Sequence, residues 1–134
     1  MTLAVILIVL VLVSVFIAMQ AYKISRKRGV PPALAGKLVS AFAAARSQAD
    51  THRRVLEGEK VLDAAMQALG YQGSMADKLR KAGPRFSNLQ SVWDAHKLRN
   101  RVAHEMNVPL DAREADRAME AFAKALRSLG VEAR

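Results

Sequence analysis

The chain has 134 residues, a formal net charge of +9 and no cysteine. The missing cysteine excludes disulfides, thiolate nucleophiles and thiolate metal centres, and it suits a reducing cytosol. Beyond the first 22 residues, alanine, leucine, lysine, arginine and glutamate dominate while aromatic and β-branched side chains are sparse, which favours helices over a sheet.

Leu3 to Met19 hold one polar side chain, Ser14, and no charge. A helix needs roughly 20 mainly apolar residues to cross a bilayer, and residues 1 to 22 supply them. No Lys or Arg precedes Lys23, the apolar run exceeds a signal-peptide core, and Ala18-Met19-Gln20-Ala21 is a poor cleavage site, so a retained single-pass anchor is expected. Basic residues concentrate on the cytoplasmic side. The N-terminus is therefore expected outside the inner (plasma) membrane and the rest of the chain in the cytoplasm. Ser14 and Ala18 form one small-xxx-small pair, the kind that lets two spans approach as a homodimer.

Residues 23 to 32 read as a basic joint. Lys23, Arg26, Lys27 and Arg28 are expected to meet anionic lipid headgroups, and Gly29-Val30-Pro31-Pro32 ends the emerging helix. From residue 33 to 134 the pattern is that of a small helical bundle. Leu34, Leu38, Phe42 and Ala45 form one apolar stripe; Val55, Leu62, Ala65, Met66 and Leu69 form another, ending at Gly70. Gly58 interrupts the second, and the pattern leaves open whether residues 33 to 70 are one helix or two. Ser74 and Asp77 mark the start of a short helix that Gly83-Pro84 ends. A helix from Leu89 to about Asn107 follows, stopped by Val108-Pro109. Asp111 with Glu114 forms a capping box for the last helix, whose stripe of Ala115, Ala118, Met119, Phe122, Leu126 and Leu129 ends at Gly130. The expected fold is all-α: a transmembrane helix followed by a four- to five-helix bundle.

Charge is uneven. Residues 23 to 60 hold nine basic and three acidic side chains; residues 77 to 104 hold seven and two. The first block adjoins the membrane, whereas the second lies within the bundle and is free to face lipid, RNA or water. Phe86 and Trp93 are its only aromatics, too few for a base-stacking platform. His96 and His104 are eight residues apart, ~12 Å on a helix, too far to share an ion. No metal site and no cofactor is expected.

The chemistry is concentrated in Trp93 to Glu105. At ~100° per residue, Val92, Ala95, Leu98, Val102 and Met106 share an apolar face, and Trp93, His96, Asn100 and His104 an adjoining polar one. Lys97 and Arg101 point away. Burying an unpaired histidine or asparagine costs a few kcal/mol, so the polar stripe needs partners. Carboxylates of neighbouring helices (Glu57, Glu59, Asp63 or Asp94) would serve, and so would a ligand or a second chain.

Arg99-Asn100-Arg101-Val102-Ala103-His104 resembles the signature of HEPN domains, short all-helical bundles marked by Arg, a polar residue and a following His. The core from about Arg53 to Val131, with Ala95-His96-Lys97 leading into Arg99-Asn100 and Ala103-His104-Glu105, is also similar to single-span helical proteins of small-genome candidate-phylum bacteria. The HEPN resemblance implies metal-independent endoribonuclease chemistry in a homodimer, although many members only bind. In that chemistry Arg99 would hold the phosphate, His104 would act as acid–base or positioning group, and Asn100 would orient His104. His96, Lys97, Arg101 and Trp93 would contribute to binding. Arg99 and His104 point ~140° apart on a straight helix, so joint action requires a bend, a helix end or a partner. Two functional classes stay open at this point. One is a membrane-anchored HEPN-like module binding RNA or a protein partner; the other is a non-catalytic structural adaptor that self-associates at the inner membrane.

Overall fold

The structure is a computed structural model describing residues 2 to 134, the side chains of residues 25 to 27 excepted; Arg26 and Lys27, expected at the lipid surface, therefore lie outside the described side chains. Helix α1 (Thr2–Lys27) carries the apolar run straight into the basic joint. Its Thr2–Ile24 stretch is long and apolar enough to cross a membrane, with mean hydropathy 3.1, and no part of that window is buried against the rest of the protein. Both a membrane anchor and a signal sequence fit such a segment. Ser14, its one polar side chain between Leu3 and Met19, donates its hydroxyl to the Leu10 carbonyl, which removes the cost of a free donor among apolar neighbours.

Four long helices form the bundle: α2 (Pro32–Arg46), α3 (Thr51–Ala68), α5 (Leu89–His104) and α6 (Ala112–Ser128), with a short α4 (Met75–Ala82) and a 3-10 turn (Gly83–Arg85) linking α3 to α5. Residues 33 to 70 are thus two helices. The break has a local cause, because the Asp50 carboxylate accepts from the His52 and Arg53 amides and starts α3 afresh. The hydrogen bond from the Arg53 amide foremost, then that from the His52 amide, holds the Asp50 carboxyl below its ordinary range. Asp111 with Glu114 forms the expected capping box, and the expected N-cap at Ser74 is a capping box too, with Asp77 as its second member.

Consecutive long helices alternate in direction. His52 Nε2 donates to the Val108 carbonyl at 2.6 Å and Thr51 to that of Leu110 at 3.3 Å, so α3 starts where α5 ends. Helix α6 runs alongside α3 in the same direction, as the contacts of Arg54 with Asp116 and of Gly58 with Met119 and Phe122 show. Gly58 is explained by this contact. A Cβ there would come 2.5 Å from Met119 Sδ, so the glycine permits a close approach of α3 and α6 that an alanine would crowd, forcing Met119 to shift. Phe42, Leu62, Met66, Leu79, Met119, Phe122 and Leu126 are fully buried at the centre. Each such side chain stabilises by about 1.5–3 kcal/mol.

Helix α5 is shorter than expected. It ends at His104, and Asn107 adopts φ +55° in the turn that follows. Met106, expected on the apolar face, is therefore outside the helix and 90 % exposed.

Candidate functional site

Glu59 lies on the buried face of α3, four residues after Val55 and three before Leu62, and is only 4 % exposed. A carboxylate at a core position must be paired. Its partners come from α5. His96, 7 % exposed, places Nδ1 2.6 Å from Glu59 Oε1, and Arg99 places Nε 2.9 Å from Glu59 Oε2. Asn100 Nδ2 lies 3.2 Å from His96 Nε2, and Arg99 Nη1 lies 3.5 Å from Asn100 Oδ1.

These four side chains close a ring with a consistent proton pattern. Arg99 donates to Asn100, Asn100 to His96 Nε2, and His96 Nδ1–H to Glu59. That is the arrangement of an imidazole carrying one proton, on Nδ1. Glu59 and Arg99 then balance each other's charge. The Arg99 Nε–H is buried and makes no hydrogen bond, so its approach to Glu59 Oε2 is a charge contact and not a directed bond. Beside the ring, Lys78 of α4 is buried and bonds Asp63 of α3 at 2.7 Å. Both features line a groove of about 510 Å³ between α3, α4 and α5.

The three residues of the expected Arg-Asn-His motif are divided by this arrangement. Arg99 and Asn100 are drawn into the ring. His104 is exposed at the last residue of α5, and no side-chain hydrogen bond or ion pair joins it to either. Asn100 orients His96, four residues before it, where His104, four residues after it, was expected. Helix α5 continues unbroken from Arg99 to His104, so no bend brings the two together. Among the residues expected to bind, His96 is instead an interior group. Trp93 is half-buried with its ring edge-on to His96 at 5.8 Å and packs against the core. Lys97 and Arg101 are exposed as expected and line a second groove of about 530 Å³ with Leu98 of α5 and Glu114, Arg117 and Ala118 of α6.

Glu59 is the residue that sequence reasoning did not single out from the four carboxylates it considered. The signal was its place on the Val55–Leu62 stripe, where a charge is out of pattern. The Lys78–Asp63 pair had no comparable signal. Among the described residues no group of three or more His, Cys, Asp or Glu side chains is placed to share an ion. No family model, no curated protein and no solved structure matches the chain.

Proposed function

We propose that the protein is a membrane-tethered, HEPN-like helical module that binds RNA without cutting it. Helix α1 is the tether in this reading, and the cations that follow the span support a cytoplasmic bundle. One observation carries the non-catalytic reading. Arg99 and Asn100 are spent on a buried Glu59–His96 pair, while His104 stands apart on the surface. The ring fixes the rotation of α5 against α3, and that rotation turns Lys97 and Arg101 outward, beside Arg117 of α6 and two turns and one turn before His104.

The test uses the full chain in detergent or nanodiscs and a fluorescent single-stranded RNA oligonucleotide. Binding should weaken with salt, with a slope near −2 for about three phosphate contacts. Combining Lys97→Glu, Arg101→Glu and Arg117→Glu should abolish it. No cleavage is expected without metal, and His104→Ala should leave affinity within about twofold, since one exposed side chain off the groove adds little. Cleavage lost on His104→Ala with the fold intact would overturn the non-catalytic reading.

A structural adaptor is the second reading, and one feature favours it. Asp94 and Glu114 share the groove with the three cations, a mixed lining better suited to a protein surface than to a polyanion. Absence of RNA binding by a folded chain, with a mass that rises with concentration, would select it.

A further inference from the structure

The bundle does not hang from its anchor on a loose tether. The Val30 amide donates to the Leu129 carbonyl at 2.8 Å, and the Val30 side chain is buried. The backbone at Gly29 crosses Gly130 so closely that a Cβ on Gly130 would come 3.1 Å from Gly29 Cα, and Gly130 holds φ +87°. Arg85 of the 3-10 turn donates from Nη2 to the Arg28 carbonyl at 2.7 Å. The joint is thus fastened to the end of the bundle formed by the C-terminus of α6 and the turn before α5.

This attachment fixes how far that end can lie from the apolar segment. The segment ends at Ile24 and α1 at Lys27, a rise of ~4.5 Å at 1.5 Å per residue. Residues 28 to 30 add at most ~10 Å when extended. The attachment point is therefore no more than ~15 Å beyond the hydrocarbon edge, and the headgroup layer fills roughly 5–8 Å of that distance. What remains is about one Debye length at physiological salt.

The charge at this end is partly neutralised, with the exposed Glu132 its one acidic side chain after α6. Residues 78 to 93 carry four basic side chains and no acidic one. Lys78 and Arg80 are paired with Asp63 and Asp77. Among the described residues Lys81 and Arg85 have only carbonyl partners, Gln72 and Arg28, which leave their charge intact. We propose that this end of the bundle, through Arg28, Lys81 and Arg85, docks on a bilayer surface and takes the phosphates of anionic lipids as its ligand. The proposal rests on reading α1 as a membrane span and is independent of RNA binding.

The absence of cysteine makes the test direct. The full chain is placed in nanodiscs of phosphatidylcholine alone or with about 30 % phosphatidylglycerol, an anionic fraction that sets up a negative surface potential. A fluorophore is carried on Ser87→Cys, at the docked end, or on Glu105→Cys, at the far end, and the lipids bear a headgroup quencher. Quenching at position 87 should be at least about twofold stronger in the anionic discs, and position 105 should respond to neither, being more than a Debye length away. Lys81→Glu with Arg85→Glu should reduce quenching to the neutral-disc level, and Arg85→Lys, which keeps the charge, should not. Equal quenching in both kinds of disc, or at both labels, overturns the docking while leaving the span intact. Release of the contact by added RNA reassigns these cations and overturns it too. A chain that fails to enter discs overturns the span, and the docking with it.

Discussion

At the scale of single residues, the protein is organised around one buried carboxylate. Glu59 is tolerated in the core because His96 and Arg99 compensate it, and removing one member of such a set leaves the others unpaired. Glu59→Gln should therefore cost about 3 kcal/mol in chemical denaturation of the full chain. His104→Ala should stay within about 0.5 kcal/mol, as expected of an exposed side chain. Equal costs at the two positions would contradict the ring. Gly58 makes a second residue-level case. An exposed helical Gly→Ala exchange gains about 1 kcal/mol, but here the new methyl would meet Met119 Sδ at 2.5 Å, and Met119 is fully enclosed. Gly58→Ala should therefore lower stability, by about 1–3 kcal/mol through overpacking, and a raised melting temperature would show that α3 and α6 are not in this contact.

At the scale of elements, local chemistry decides where the capped helices start and where α3 and α6 stop, before Gly70 and Gly130 at φ +90° and +87°, while packing decides where α5 ends. The capping boxes at Ser74–Asp77 and Asp111–Glu114 were legible because a short side chain and an acid three residues later satisfy free amides wherever the chain goes. The Ser74 hydroxyl and amide bonds hold the Asp77 carboxyl below its ordinary range. Asp111→Ala should cost about 1 kcal/mol, as lost caps typically do, read as a lower melting temperature. The end of α5 was less legible. Its apolar periodicity continues through Val102 and Met106, yet the chain turns at Glu105 to let Val108 and Leu110 reach His52 and Thr51. Those are contacts between residues more than 50 positions apart, and periodicity along one helix carries no trace of them.

At the scale of the whole molecule, two ion pairs tie α6 to its neighbours, Arg46–Glu120 from α2 and Arg54–Asp116 from α3, while Arg127–Glu120 braces the same carboxylate from within α6. Burial alone would raise the Glu120 carboxyl, but the hydrogen bonds from Arg127 and Arg46 outweigh it and hold the group below its ordinary 4.5. With the folded value below the unfolded one, the stabilisation is complete above about pH 4.5 and is lost as pH falls through the lowered folded value. The pairs are partly exposed, so each is worth about 0.2–1 kcal/mol. Melting temperature should accordingly fall on acidification below pH 4.5, and Glu120→Gln should flatten that limb. An unchanged acid limb in Glu120→Gln would assign the loss to other carboxylates.

By itself the sequence determined that the protein is helical, that its first segment is apolar enough to cross a bilayer, and where four of its helices start. These properties depend on composition, periodicity and capping, which act over a few residues. Only the tertiary structure decided which carboxylate meets His96 and Arg99, that Asn100 turns toward His96, and that the joint after α1 is bound to the end of α6. The physical reason is the same in each case. A buried charge requires a partner, and the requirement is visible in one helix, but the partner's identity depends on how the helices are rotated and aligned against each other. That rotation is set by the summed packing of Phe42, Met119, Phe122 and the close contact at Gly58, not by any residue alone.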